Sequence, residues 1–316
     1  SGLDGLVLSM NPDLSELRWV NYISGESSDV LFSIDFSRDY SSIYATGATN
    51  SIGLPRANGG HASSLQGLTD GIITKFSFEN AILEQLTYVG TASRDMIMGL
   101  HVDRNNRVNV VGQTYGNFPI DGSLYSDGNS GQFIARYNSA LTERDLSTTF
   151  GSGAGRPDIT INAFLVDECG KFFVSGWGGN IDDKGFSLSN RSLFNMPLTG
   201  DALRSNTDGS DFYIAVFEED MNGLLFGSYI GGSRTGDHVD GGTSRFDERG
   251  IIYQSVCASC PSTGYYVSDF PTTPGAYSET NKNYRCSNAS FKYAAINFNA
   301  PPNMNDTLYE VIATEE

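Results

Sequence analysis

Basic charge is what this chain has least of. Its 316 residues carry 20 Lys and Arg against 37 Asp and Glu, a formal net charge of −17. Nucleic acid and anionic membrane surfaces are held by basic clusters. The chain has none, so neither is expected as a partner. Nor does any run reach the roughly 18 apolar residues that a membrane-crossing helix requires, so insertion by a helix is not expected. Histidine is equally scarce: His61, His101 and His238 are all there are. No Gly-x-Ser-x-Gly nucleophile motif accompanies them, and Gly151-Ser152-Gly153-Ala154-Gly155 precedes no helical pattern that would make it a phosphate cradle. Carboxylate pairs could hydrolyse glycosides, but a sequence carries no separation between them. Helical periodicity is missing as well. The nearest stretch, Thr142 to Leu146, is too short and falls inside a strand pair.

What is present is a repeat. An apolar residue directly precedes proline at Leu54-Pro55, Phe118-Pro119, Met196-Pro197 and Phe270-Pro271, each at the same place in a longer pattern. A unit opens with a short alternating run, at Gly5 to Met10, Gly71 to Phe76, Gln132 to Tyr137 and Phe212 to Phe217. A second run ends in an aromatic and a glycine, at Tyr22 to Gly25, Tyr88 to Gly90, Phe150-Gly151 and Tyr229 to Gly232. An Asp-containing turn follows (Asp29, Asp95, Asp158, Asp237), then a third run ending near Phe36, Asp103, Asp167 and Asp247. The fourth run covers Ile43 to Thr49, Val108 to Thr114, Phe172 to Trp177 and Ile251 to Val256, and a polar loop carries the proline onward.

Alternation rich in Val, Ile, Tyr, Phe and Thr is the strand signal, and 36 glycines with many Asn, Asp and Ser punctuate the turns. From Asp4 to Asp70, Gly131, Asp211 and Ser290 the spacing is roughly 60 to 80 residues, a blade period once loop insertions are allowed. The expected fold is all-β: a β-propeller of four-stranded antiparallel blades, since radial closure leaves only short protected edges. The units run about 4–69, 70–130, 131–210 and 211–289, with a partial unit at 290–299 and a linker or tail at 300–316. The opening strand thus occurs five times, the last at Phe291 to Phe298, giving four blades plus the first strand of a fifth. With no initiator Met and immediate entry into the repeat, the chain reads as a segment of a longer polypeptide.

These residues resemble the SBBP repeat of bacterial exported propellers. Asp269-Phe270-Pro271-Thr272-Thr273-Pro274-Gly275-Ala276-Tyr277 matches that family's closing motif almost fully, and Tyr229-Ile230-Gly231-Gly232 matches its turn. The first three units are more degenerate: Ile52 to Arg56 and Asn195 to Leu198 keep only the proline core. The stretch Asp237 to Asp247, with Tyr253 to Cys257, is similar to large Bacteroidetes surface proteins in which such a propeller precedes immunoglobulin-like modules and a type IX secretion sorting domain. The resemblance implies a secreted or outer-surface location, although no sorting domain is seen in this chain.

Four cysteines are the sharpest local feature. Cys257 and Cys260 form a C-x-x-C, Cys286 follows, and Cys169 stands apart in the third unit. If strands alternate up and down, the loop with the first three and the turn with His238 share one face, and Cys169 lies on the other, unpaired. Cys257, Cys260, Cys286 and His238 would make a closed structural zinc site. A disulfide from Cys286 to Cys257 or Cys260 is the competing reading, natural in an exported protein. Calcium is a second cofactor candidate, with hard oxygens in Thr207 to Asp211, Asp127-Gly128-Asn129 and Asp182-Asp183, but no complete calcium loop is present. Asp29, Asp95 and Asp237 read as turn or cap residues.

The expected function is a non-catalytic module of a large secreted or cell-surface protein, a scaffold for adhesion or extracellular assembly. Its partners would be other domains of the same polypeptide or copies of it, met on the long loops at 50–69, 178–210 and 257–289. The alternative is a carbohydrate-binding or carbohydrate-active propeller, using cell-surface glycans at the channel mouth, with Trp19, Trp177, Tyr265, Tyr266 and Tyr277 available to stack on sugars.

Overall fold

A computed structural model describes residues 2–179, 192–239, 244–260, 267–282 and 284–294, together with the backbone of 310–313. The described chain is almost wholly β. One 3₁₀ turn, Glu219–Met221, is its only helical piece, and no helix is long and apolar enough to cross a membrane.

The chain divides into two compact units, Ser1–Arg156 and Pro157–Glu316. In the first, β1 (Gly5–Met10) and β2 (Leu17–Ile23) form a two-stranded sheet. Next come β3 (Asp29–Phe36), β4 (Ser42–Thr49), β5 (Asp70–Ser77) and β6 (Leu83–Val89), a four-stranded antiparallel sheet in chain order. A second such sheet holds β7 (Asp95–Val102), β8 (Val108–Thr114), β9 (Gln132–Tyr137) and β10 (Arg144–Phe150).

The unit Pro157–Glu316 repeats the plan with β11 (Thr160–Val166), β12 (Phe172–Trp177), β13 (Phe212–Phe217) and β14 (Leu224–Ile230). Its other sheet has a split first edge, β15 (Gly236–His238) then β16 (Ser244–Phe246). Both pieces pair with β17 (Ile251–Cys260), which pairs with β18 (Ser287–Ala294), which pairs with β19 (Glu310–Ala313). Four blade-like sheets of four antiparallel strand positions therefore recur, as the repeat predicts.

The sheets are cut two strands later than the sequence units. Hydrogen bonding joins the strand after the Asp turn to the strand beyond the proline loop, so β3 and β4 belong with β5 and β6 rather than with β1 and β2. A period says nothing of phase, and sequence supplies only the period. Consequently the surplus is the half sheet β1–β2, and β18 is the third strand of its sheet, not the first strand of a new one. Residues 310–313, expected in a linker, pair with β18. That run is only four residues long and lies beyond Pro301-Pro302, which hides it in the pattern.

In the first three four-stranded sheets the second and third strands are buried on both faces, whereas β17 and β18 keep one face partly exposed. β4, β8, β9 and β13 are buried throughout, so the runs at Gln132–Tyr137 and Phe212–Phe217, read as alternating in the sequence, have no solvent-facing side. The pairing of first and second strands slips at one recurrent place, between Leu31 and Ser33, Ile97 and Gly99, and Ile161 and Ala163. A glycine faces each slip: Leu31 pairs with Gly47, Ile97 with Gly112 and Ile161 with Gly176. A Cβ at Gly47 would collide with the Val30 carbonyl, and one at Gly112 with the Met96 carbonyl and the Phe133 ring. The bulge and its glycine are therefore one device.

Sheets within a unit share their cores. Tyr44, Ile73 and Val89 of the first four-stranded sheet cluster with Ile97, Val110 and Phe133 of the next. In Pro157–Glu316, Phe212 meets Phe291 at 5.9 Å between ring centres and Phe226 meets Tyr293 at 5.9 Å.

Candidate functional site

Most residues that look functional in the repeat are occupied with holding it together. The apolar-proline loops show how. In the first four-stranded sheet, the Leu54 N–H donates to Tyr88 Oη at 2.9 Å, and that hydroxyl donates to the Ser51 carbonyl at 3.0 Å. In the third, the Met196 N–H donates to Tyr229 Oη at 3.1 Å and the hydroxyl donates to the Leu193 carbonyl at 2.8 Å. A fourth-strand tyrosine thus latches the loop that carries the proline. In the second sheet, Phe118 instead stacks on Phe133, with ring centres 4.0 Å apart. Near β17, the Phe270 N–H donates to Ser259 Oγ at 3.3 Å.

The recurring aspartates are strand-opening carboxylates, and they are fully buried. Asp29 accepts the Gly25 N–H at 2.9 Å and the Ser51 hydroxyl at 3.1 Å. Asp95 accepts from both the N–H and the hydroxyl of Thr91, at 2.7 and 2.8 Å. Asp237 accepts the N–H of Gly232 and that of Ser259, each at 2.7 Å. A second set opens the third strands: Asp70 takes the N–H groups of Gln66 and Gly67 at 2.8 and 3.1 Å, and Asp211 takes the Thr207 hydroxyl at 2.5 Å.

The two sets meet in pairs. Burial pushes Asp70 up to about 6, with the nearby Asp95 adding to the rise, and burial likewise raises Asp95. Burial raises Asp211, with the charge of Asp208 adding to the rise and its hydrogen bond with Asp237 opposing it, and burial raises Asp237, with Asp211 adding. Asp211 and Asp237 are hydrogen-bonded to each other, and two such carboxylates cannot both ionise cheaply, so that pair favours holding a proton. The glycine after each fourth strand makes the room: a Cβ on Gly90 would press on the Asp70 carboxyl, and one on Gly231 would overlap those of Asp211 and Asp237. This explains the aromatic-glycine motif.

The disulfide reading of the sequence holds, but two of the cysteines sit in a strand. Cys257 and Cys260 lie in β17, not in a loop, because the strand runs four residues beyond Val256. Cys260 and Cys286 form a disulfide. His238 Nδ1 stands 3.5 Å from Cys260 Sγ, and His238 pairs directly across the ladder with Cys257. Cys169 is exposed and outside any disulfide, in the β11–β12 turn, where its N–H donates to Asp167 Oδ1 at 2.8 Å. The ladder places that turn at the end of its sheet away from Thr160 and Trp177.

Among the described residues, no three His, Cys, Asp or Glu side chains form a group that could hold a metal ion. The calcium candidates spend oxygens on their own loops: Asp208 accepts the Ser210 N–H at 2.9 Å, and Asp127 accepts the Tyr125 hydroxyl at 2.6 Å. Asp182-Asp183 lie outside the described residues, as do Tyr265 and Tyr266. Of the other aromatics proposed for stacking, Tyr277 is exposed, Trp177 is half-buried beside the His238 ring, and Trp19 packs partly against the core. His61 sits in a loop, donates its N–H to the Leu141 carbonyl, and has its imidazole pushed down by burial. His101 lies within β7.

Two features escaped the sequence reading. One is a cleft of about 450 Å³ between Tyr229 and Ile230 of β14, the Phe270 to Pro274 segment and Phe291 to Tyr293 of β18, with Arg204 in its wall. The other is an apolar quartet on one face of the half sheet: Leu6 opposite Tyr22 and Leu8 opposite Val20, exposed by 45, 64, 46 and 38 %. Alternation in β1 and β2 is its visible signal, but which face is covered depends on a neighbouring sheet. No family model matches the chain, and no curated protein matches it.

Proposed function

We propose that the chain is a non-catalytic scaffold module of a larger secreted or cell-surface polypeptide, joining its neighbours by continuing the sheet array. One observation carries this reading: β1–β2 is half a sheet with an apolar face exposed. β5, β9 and β13, the third strands of complete sheets, are paired on both edges, whereas β1, among the described residues, pairs only with β2. An open edge beside Leu6, Leu8, Val20 and Tyr22 invites another β-element. The occupant this favours is a further pair of strands from the same polypeptide. In solution the isolated chain offers the surface to a second copy.

Sedimentation of the purified chain over a concentration series tests this. Self-association is expected, and Leu6→Glu with Leu8→Glu should abolish it without lowering the melting temperature, because both side chains are already exposed. A chain that stays monomeric at every concentration overturns the reading. The cleft beside Arg204 favours the second reading, a carbohydrate-binding propeller, because aromatic walls and a guanidinium suit an acidic sugar. Calorimetric titration with acidic oligosaccharides separates the two: saturable binding lost in Arg204→Ala favours the cleft.

A further inference from the structure

We propose that Cys257, Cys260, Cys286 and His238 form a closed site for a soft divalent cation of the zinc class when the Cys260–Cys286 bond is reduced. The site is independent of the scaffold reading.

The ladder and the disulfide together bring the four side chains to one face of one sheet. Cys257 lies opposite His238 on one side and opposite Asn288 on the other. Directly opposed residues of an antiparallel pair project to the same face, and Cys286, one residue before β18, is brought to that face by its bond to Cys260. Cys260, three residues after Cys257, would face the other way in a regular strand. It does not, because the ladder slips between Gly236 and His238 and Ser259 has φ 53°, which adds a residue and turns Cys260 back. Its sulfur is accordingly bonded to Cys286 and 3.5 Å from His238 Nδ1. Asp237 pins this bulged C-x-x-C by accepting the Ser259 N–H at 2.7 Å.

Three thiolates and one imidazole are a set that zinc takes in tetrahedral geometry, with no position left open for water, so the site is structural. The disulfide state withdraws two of the four donors, which agrees with the lack of a metal-holding group among the described residues. A thiol reductant supplies two electrons and two protons to the sulfur–sulfur bond, leaving two cysteine thiols and the reductant's own disulfide. Zinc then displaces the protons of the three thiols and binds the neutral imidazole. A chain is synthesised with its thiols reduced, so metal and oxidation compete for the same two sulfurs.

The test uses the full chain with its disulfide intact or reduced. Zinc is titrated against a chromophoric chelator, and cobalt replaces it to reveal sulfur ligation by absorption. One equivalent per chain is expected in the reduced protein and none in the oxidised. Zinc should shield three cysteines of the reduced chain from alkylation while exposed Cys169 still reacts. The ring of Trp177, 5.7 Å from that of His238, should report binding through its emission. Cys257→Ser and His238→Gln should each lower affinity by more than about tenfold, the loss that disturbing even an outer partner of a metal ligand brings. Cys257→Ser keeps the disulfide, so circular dichroism of its oxidised form separates lost ligation from lost folding. Failure of the reduced chain to bind zinc, or binding unchanged in both variants, overturns the proposal and leaves the disulfide as the whole of the sulfur chemistry there.

Discussion

A fully buried aspartate that keeps a proton couples the fold to pH with a defined sign. Asp70 titrates near 6 in the folded chain against about 3.9 unfolded. Its folded-state pKa is raised, so its contribution is complete below about pH 4 and is lost as pH rises through about 6, an effect of roughly 2–3 kcal/mol. The urea midpoint should therefore be higher at pH 5 than at pH 8, and Asp70→Asn should flatten that difference. A wild-type midpoint that is higher at pH 8 would refute the assignment. The latch tyrosines make a second residue-scale prediction. Tyr229→Phe strands the Met196 N–H and the Leu193 carbonyl, which should cost about 1–3 kcal/mol, read as a lower melting temperature. The ends of the third runs were legible at this scale, since Asp103, Asp167 and Asp247 each accept N–H groups of the hairpin that follows. The pairing of Asp70 with Asp95 was not, because the partners come from different sheets.

Among the elements, the bulge facing a glycine is the recurrent point of weakness. Gly112→Ala places a methyl against the Met96 carbonyl and the Phe133 ring, an overpacking expected to cost about 1–3 kcal/mol in denaturant unfolding. Phe118→Ala removes the ring that stacks on Phe133 and should cost about 3–5 kcal/mol. If instead Gly112→Ala were neutral, the slip in the β7–β8 ladder would not depend on the glycine. Strand positions were readable from alternation and turn residues. The extent of β17 was not, because its bulge breaks the period of two at Ser259.

For the whole molecule, the disulfide belongs to one unit only. Cys260 and Cys286 close a loop of 26 residues in sequence within Pro157–Glu316. Opening it should cost that unit about 3.5 kcal/mol, the loop-closure estimate for a ring of this size. Hydrogen exchange should then speed up in β17 and β18 on reduction while β3 to β10 keep their protection; uniform acceleration across both units would show them to be one cooperative body. Added zinc should restore part of the lost protection if the cysteine–histidine site forms.

Sequence by itself determined the strand count per period, the turn chemistry and the all-β class, because each rests on local backbone preference repeated often enough to be seen. It also narrowed the sulfur chemistry to three cysteines and a histidine. Tertiary structure alone decided where one sheet ends and the next begins, which sulfur Cys286 takes, and which carboxylates meet. Those depend on hydrogen bonds and contacts between segments far apart in the chain, and a periodic pattern is unchanged by any shift of its own phase.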